Sequence, residues 1–125
     1  MGRMVHLKEP LSINHVVDLV KDHLKLKHVQ LAVSKENAMI QTVAVCAGSG
    51  GSLLKNVKAD LYITGEMSHH EVLDAIHHNT SVILGGHSNT ERLFLLKWKD
   101  VLQTALGENI QIDVSINDQD PLSTV

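Results

Sequence analysis

With 125 residues, 43% hydrophobic and 20% charged, the chain has material for one domain with a real core and too little for two. That composition excludes a disordered chain, and a net charge of -3 with a pI near 6.3 argues against the basic face that direct nucleic-acid binding needs. The lone Cys46 leaves no internal disulfide and suits a reducing compartment. No apolar run approaches the roughly 18 residues of a membrane span, and the N-terminus carries no apolar signal core. The cytoplasm, or the nucleus, is the expected location, without membrane contact. Aromatic residues are only Tyr62, Phe94 and Trp98, so Val, Leu, Ile and Ala must build the interior.

Residues 3–8 alternate as a strand closed by Pro10. Ser12 then caps a helix whose Ile13, Val16, Val17, Val20 and Leu24 form the apolar stripe of a helix lying on a sheet. Residues 28–33 alternate again, with Val29, Leu31 and Val33 on one face. A polar loop leads into residues 40–47, whose Val43, Ala44 and Val45 predict burial on both faces. The short connection allows a hairpin between these two strands.

Beyond this point strand alternates with helix. The strand at 40–46 is followed by Gly48-Ser49-Gly50-Gly51 and a short helix around 52–57. A strand at 61–64 precedes a helix at 68–78, and a strand at 81–85 precedes one at 88–106. A last strand is expected from Asn109 to Ser115, with Ile110, Ile112 and Val114 alternating, and a polar tail occupies 117–125. The expected fold class is therefore α/β, a mainly parallel sheet with helices on both faces, in a single domain spanning 1–125.

Such a sheet gathers its site at the carboxyl ends of the strands. Three glycine-bearing loops meet there: Gly48 to Gly51, Gly65-Glu66-Met67-Ser68, and Gly85-Gly86-His87-Ser88. The first either holds an anion on its backbone N–H groups or is simply a tight strand-to-helix turn. His87 and Glu91, four residues apart at a strand-to-helix junction, can converge on one point, and imidazole with carboxylate suits zinc, manganese or iron. Ser68 to Glu71 and Ser88 to Glu91 each also match the S-x-x-E capping box, which would account for either glutamate without metal. His69 and His70 are adjacent, about 100° apart on a helix, and cannot easily chelate one ion. His77 and His78 suit a helix C-terminus; His6, His15, His23 and His28 have no partner at ligand spacing.

Residues 63–75 (ITGEMSHHEVLDA) and 85–95 (GGHSNTERLFL), with CAGSGG upstream, resemble the C-terminal half of the Nif-three-like family, also described as GTP cyclohydrolase I type 2 homologues. The Ser-His-His and His-Ser-Asn-Thr-Glu-Arg wording is similar to its animal members. The resemblance implies one half of a two-part α/β fold, a pair of divalent metal ions held between the halves, and ring-shaped hexamers. It places metal ligands at His87 and Glu91 and sets Glu66 beside the metals. The family's other ligands, a His-His pair and an Asp, belong to its N-terminal half, which these 125 residues do not include. The site is therefore expected to be incomplete here.

Three functions follow from the resemblance. One is metal-dependent hydrolysis or cyclohydrolase-like chemistry with Glu66 as general acid/base. Another is regulation of transcription through protein partners. The third is a structural contribution to a homo-oligomer.

Overall fold

The structure, a computed structural model, describes residues 2–35, 38–118 and 120–121. A five-stranded sheet is built from β1 (Arg3–Ser12), β2 (Gln30–Ala32), β3 (Met39–Ser49), β4 (Leu61–Glu66) and β5 (Ser81–Leu84) in the order β1-β3-β4-β5-β2. The centre, β3-β4-β5, is parallel, and the two edge strands run antiparallel to their neighbours. The parallel centre follows from the helices in its connections: α2 (Gly51–Leu54) between β3 and β4, α3 (His69–His77) between β4 and β5.

Helix α1 (Ile13–Leu24) covers one face. Its Ile13 and Val16 pack against Ile40, Val43, Leu61 and Ile83. On the other face Leu54 of α2 and Ala75 of α3 pack against Ala44, Tyr62 and Val82. Alternation along β3 sends Val43 to the first face and Ala44 to the second, which is why both are buried. Leu61 and Ile83 are fully buried, so truncating either to Ala should cost about 2–5 kcal/mol. Ser12 caps α1 by accepting the His15 N–H at 3.3 Å. Ser68 and Glu71 form the expected capping box on α3, the Glu71 carboxylate taking the Ser68 N–H at 2.7 Å.

Four expectations are corrected. The strand near residues 28–33 does not form a hairpin with β3: β2 pairs with β5, Leu31 opposite Ile83, and β4 and β5 lie between it and β3. Ser34 fastens this edge, its N–H reaching the buried Ser81 hydroxyl at 3.2 Å. Strand β1 does not stop at Pro10 but continues to Ser12 through a register shift between His6 and Leu11. Proline lacks the N–H a regular ladder needs, so it is accommodated in the bulge, where the Gln41 side-chain amide donates to the Leu7 carbonyl.

The stretch from Asn109 to Ser115 forms no strand. It runs back beside the final helix, α4 (His87–Leu106), held by Gln103 Nε2 to the Ile110 carbonyl at 2.9 Å and by Lys99 to Asp113 at 3.8 Å. Alternation is necessary for a strand, but a ladder partner is too. Arg92 binds Asp118 in a two-pronged pair at 2.7 and 3.3 Å just beyond; of the polar tail, Gln119 and residues 122–125 lie outside the described residues. Lastly, α4 starts at His87 on a Gly86 cap without a side-chain cap bond, so the capping box expected from Ser88 to Glu91 does not form.

At the amino-terminal side of the sheet Asp60 ties β3 to β4. Its Oδ2 accepts the backbone N–H of Gln41 at 3.0 Å, that of Thr42 at 2.7 Å and the Thr42 hydroxyl at 2.8 Å. Burial alone would raise this carboxyl, but the hydrogen bonds from Thr42 and Gln41 outweigh it and hold the group below the usual aspartate value. Asp60→Ala should lower stability by about 2–3 kcal/mol at neutral pH. A carboxyl depressed in the folded state stabilises above its unfolded value, near about 3.9, and that contribution is lost as pH falls through the folded value. Urea unfolding at several pH values should therefore show the wild-type advantage shrinking below about pH 4; a gap independent of pH would contradict this role.

Candidate functional site

The parallel pairing of β4 with β5 does not end with the strands. Past Leu84 the Gly85 N–H bonds to the Thr64 carbonyl at 3.0 Å and the Gly86 N–H to the Gly65 carbonyl at 2.8 Å. These two bonds carry the chain to the point where His87 stands beside Glu66. His87 Nδ1 lies 2.9 Å from Glu66 Oε1, and on the other side of the ring Nε2 lies 3.6 Å from Glu91 Oε2, one helical turn along α4. The structure thus brings together all three residues singled out in the sequence.

The glycine loop after β3 closes the group from a third side. Gly48 has φ +66°, and a Cβ built on it would stand 2.7 Å from Glu91 Oε1 and 3.1 Å from His87 Nε2. The positive φ favours glycine, and any side chain here would push the ends of Glu91 and His87 aside. Gly65 is equally constrained, since a Cβ there would come within 2.8 Å of both His87 Cα and Thr90 Oγ1. The strand ends, the loop and the first turn of α4 therefore meet backbone to backbone. Sequence reading found the glycines but missed Thr64 and Thr90, whose hydroxyls bond to the loop; the only signal was a polar residue inside an apolar strand, Thr64 in Leu61 to Glu66.

Because a carboxylate only accepts, Glu66 selects the imidazole tautomer with the proton on Nδ1. Nε2 is then left with its lone pair directed toward the Glu91 side, which is the arrangement of a carboxylate-oriented histidine ligand. Two ligands about 2.1 Å from a tetrahedral ion stand about 3.4 Å apart, close to the 3.6 Å found between Nε2 and Oε2, so the pair fits a divalent ion. Among the described residues no group of three or more His, Cys, Asp or Glu side chains is placed to hold one.

The hydrogen bond to Glu66 is the main reason the His87 imidazole titrates above its ordinary value, with the charges of Glu66, Glu91 and Asp120 adding to it against partial desolvation. A raised imidazole stabilises the folded state at pH below its unfolded value, and that contribution disappears as pH rises through the folded one. His69 and His70 sit on α3 with their rings edge to face, centroids 5.9 Å apart, and no hydrogen bond or ion pair joins them to His87 or Glu91 among the described residues. His78 caps α3 by bonding Nδ1 to the Asp74 carbonyl at 2.8 Å. A cavity of about 850 Å³ lies between α3 and residues 55–60, and its lining includes neither His87 nor Glu91.

A family model described as Duf34/NIF3 (NGG1p interacting factor 3) matches residues 1–121. The chain belongs to this family. It is 48% identical over 128 residues to human NIF3-like protein 1, covering 100% of this chain and 34% of that protein. It is 44% identical over 130 residues to the NGG1-interacting factor 3 of Saccharomyces cerevisiae, covering 98% and 44%. Among solved structures, a Bacillus cereus protein related to NIF3 superposes with a TM-score of 0.81 at 26% identity, over 100% of this chain and 36% of that one. Reduced HcgD from Methanocaldococcus jannaschii gives 0.69 at 29% identity, over 83% and 42%. The chain thus spans between a third and a half of the length of these proteins, and its fold matches part of the two solved structures.

Glu66→Gln removes the anionic acceptor while keeping the shape. An NMR pH titration should then show the His87 imidazole midpoint falling back toward the ordinary value of about 6.5. An unchanged midpoint would mean that Glu66 does not hold the ring.

Proposed function

We propose that this NIF3-family chain is a divalent-metal-binding half-site, with His87 Nε2 and Glu91 as ligands and Glu66 orienting the histidine. The observation that supports it most is the separation of 3.6 Å between Nε2 and the Glu91 carboxylate with Nδ1 already engaged by Glu66. Zinc, manganese and iron all accept this donor pair. A bound metal would supply Lewis acidity and an activated water, the basis of a hydrolase or cyclohydrolase-like reaction. The chain's own residues do the positioning: Glu66 keeps the Nδ1 proton in place, Gly48 walls the space between the two ligands, and Glu91 contributes negative charge. Its hydrogen bond to His87 gives Glu66 an orienting role before any role as general acid/base.

Two ligands supply roughly half of a four-ligand zinc site, or about 5–8 kcal/mol of the roughly 10–16 kcal/mol such sites provide, so Kd should lie between about 1 and 200 µM. Calorimetric titration with zinc at neutral pH should show this weak binding, lost in His87→Ala and in Glu91→Ala and weakened at acid pH as His87 protonates. Tight, stoichiometric binding that persists in the double variant would show that the ligands lie elsewhere.

A second reading, action through protein partners including a homo-oligomer, has its own support. At about 100° per residue, Phe94, Trp98 and Val101 fall on the same side of α4 as His87 and Glu91. Phe94 and Trp98 stack with centroids 6.0 Å apart while 56% and 44% exposed. An exposed apolar stripe of this kind marks an interaction surface, and the yeast relative's name, NGG1-interacting factor 3, puts a transcription-related partner among the proposals. In light scattering the chain should self-associate at high concentration, and Phe94→Ser with Trp98→Ser should return it to the monomer mass. A strictly monomeric wild-type chain would remove the homo-oligomer.

A further inference from the structure

Two hydroxyls, those of Thr64 and Thr90, bond to the glycine loop. The ladder between β3 and β4 breaks between Cys46 and Ser49, where Gly48 turns to positive φ and its backbone groups leave the sheet. Side chains replace the lost ladder. Thr64, 1% exposed on β4, accepts the Gly50 N–H at 3.0 Å and donates to the Gly48 carbonyl at 3.0 Å. Thr90, on α4, accepts the Gly48 N–H at 2.9 Å and donates to the His87 carbonyl at 2.8 Å, with the Gly86 carbonyl at 3.2 Å as the alternative acceptor. Back-bonding to its own helix is ordinary for a threonine; taking an N–H from a different element is not explained by it. Both polar backbone groups of Gly48 are thus held by threonines from two separate elements.

We infer that Thr64 and Thr90 are positioning residues of the His87–Glu91 site, holding the Gly48–Gly50 loop at the distance that sets the space the two ligand side chains share. This rests on the metal-binding reading above. The margin is small, because a Cβ on Gly48 would already stand within 3.1 Å of the His87 and Glu91 side-chain ends. Thr90 is the more telling of the two. It belongs to the same helix as both ligands, so its bond to Gly48 fixes the loop directly against them.

Thr90→Val keeps the branched shape and deletes the hydroxyl; Thr90→Ser keeps the hydroxyl. Loss of one partly buried hydrogen bond corresponds to about a tenfold change. In the metal-free 125-residue chain, Gly48 amide exchange should quicken about tenfold in Thr90→Val and stay within about twofold of wild type in Thr90→Ser. Zinc affinity by calorimetry should follow the same pattern. Thr80→Val is the control: it removes the bond from Thr80 Oγ1 to the Ala59 carbonyl at 2.8 Å, at the opposite end of the strands, and should lower stability without moving either readout. Unchanged Gly48 exchange in Thr90→Val overturns the clamp. Faster exchange with wild-type zinc affinity reduces the threonines to loop staples and overturns the positioning role. A wild-type chain that takes up no zinc overturns the metal reading itself, and the positioning role with it, a result distinguishable from either of the others.

Discussion

Backbone pairing between β4 and β5 is the constraint on which the site depends. Its two extra hydrogen bonds, through Gly85 and Gly86, carry the parallel register beyond the strands and start α4 beside Glu66. Nothing in the His87 side chain decides this; the main chain does. Beneath it, Leu61, Val82 and Ile83 are almost fully excluded from water, so slipping β5 by one residue against β4 would exchange the side chains it sends to the two packed faces. A weak surface contact of 2.9 Å between partly exposed groups would be worth little on its own. It is specific here because buried strands fix where both partners begin.

The carboxyl edge was legible because its chemistry is local. Gly65-Glu66 and Gly86-His87 each follow an apolar run, and the spacing from His87 to Glu91 is one helical turn. What lay beyond reach was long-range. The Glu66–His87 contact joins residues 21 positions apart, and the clamp from Thr90 to Gly48 spans 42. The same limit explains the edge strands: alternation in 28–33 marked a strand, but nothing local says that its partner is β5 rather than β3. Conversely, the Ser88 to Glu91 capping box was a local rule overridden by tertiary structure. Once the ladder extends to Gly86, the helix starts at His87, and Ser88 falls inside the first turn instead of at the cap. That releases the Glu91 carboxylate to face the imidazole.

The two ends of α4 serve different purposes. The first turn is locked to the sheet by Thr90 and the Gly86 cap, while no residue along the helix is fully buried. Its outer stripe is apolar, and the following segment is tied to its flank by Arg92, Lys99 and Gln103. Among the described residues no helix is long and apolar enough to cross a membrane. An exposed stripe that shares a face with His87 and Glu91 would let whatever covers it approach the open side of the proposed metal site.

Everything proposed for the site needs Glu66 to hold His87 with its proton on Nδ1 and its lone pair on Nε2, toward Glu91. Long-range ¹H–¹⁵N correlation spectra of the imidazole, recorded on metal-free protein above the His87 midpoint, read that tautomer directly. The expected result is a protonated Nδ1 and an unprotonated Nε2. A ring protonated on Nε2 would contradict it, because the nitrogen facing Glu91 would then carry a hydrogen and have no lone pair to offer a metal.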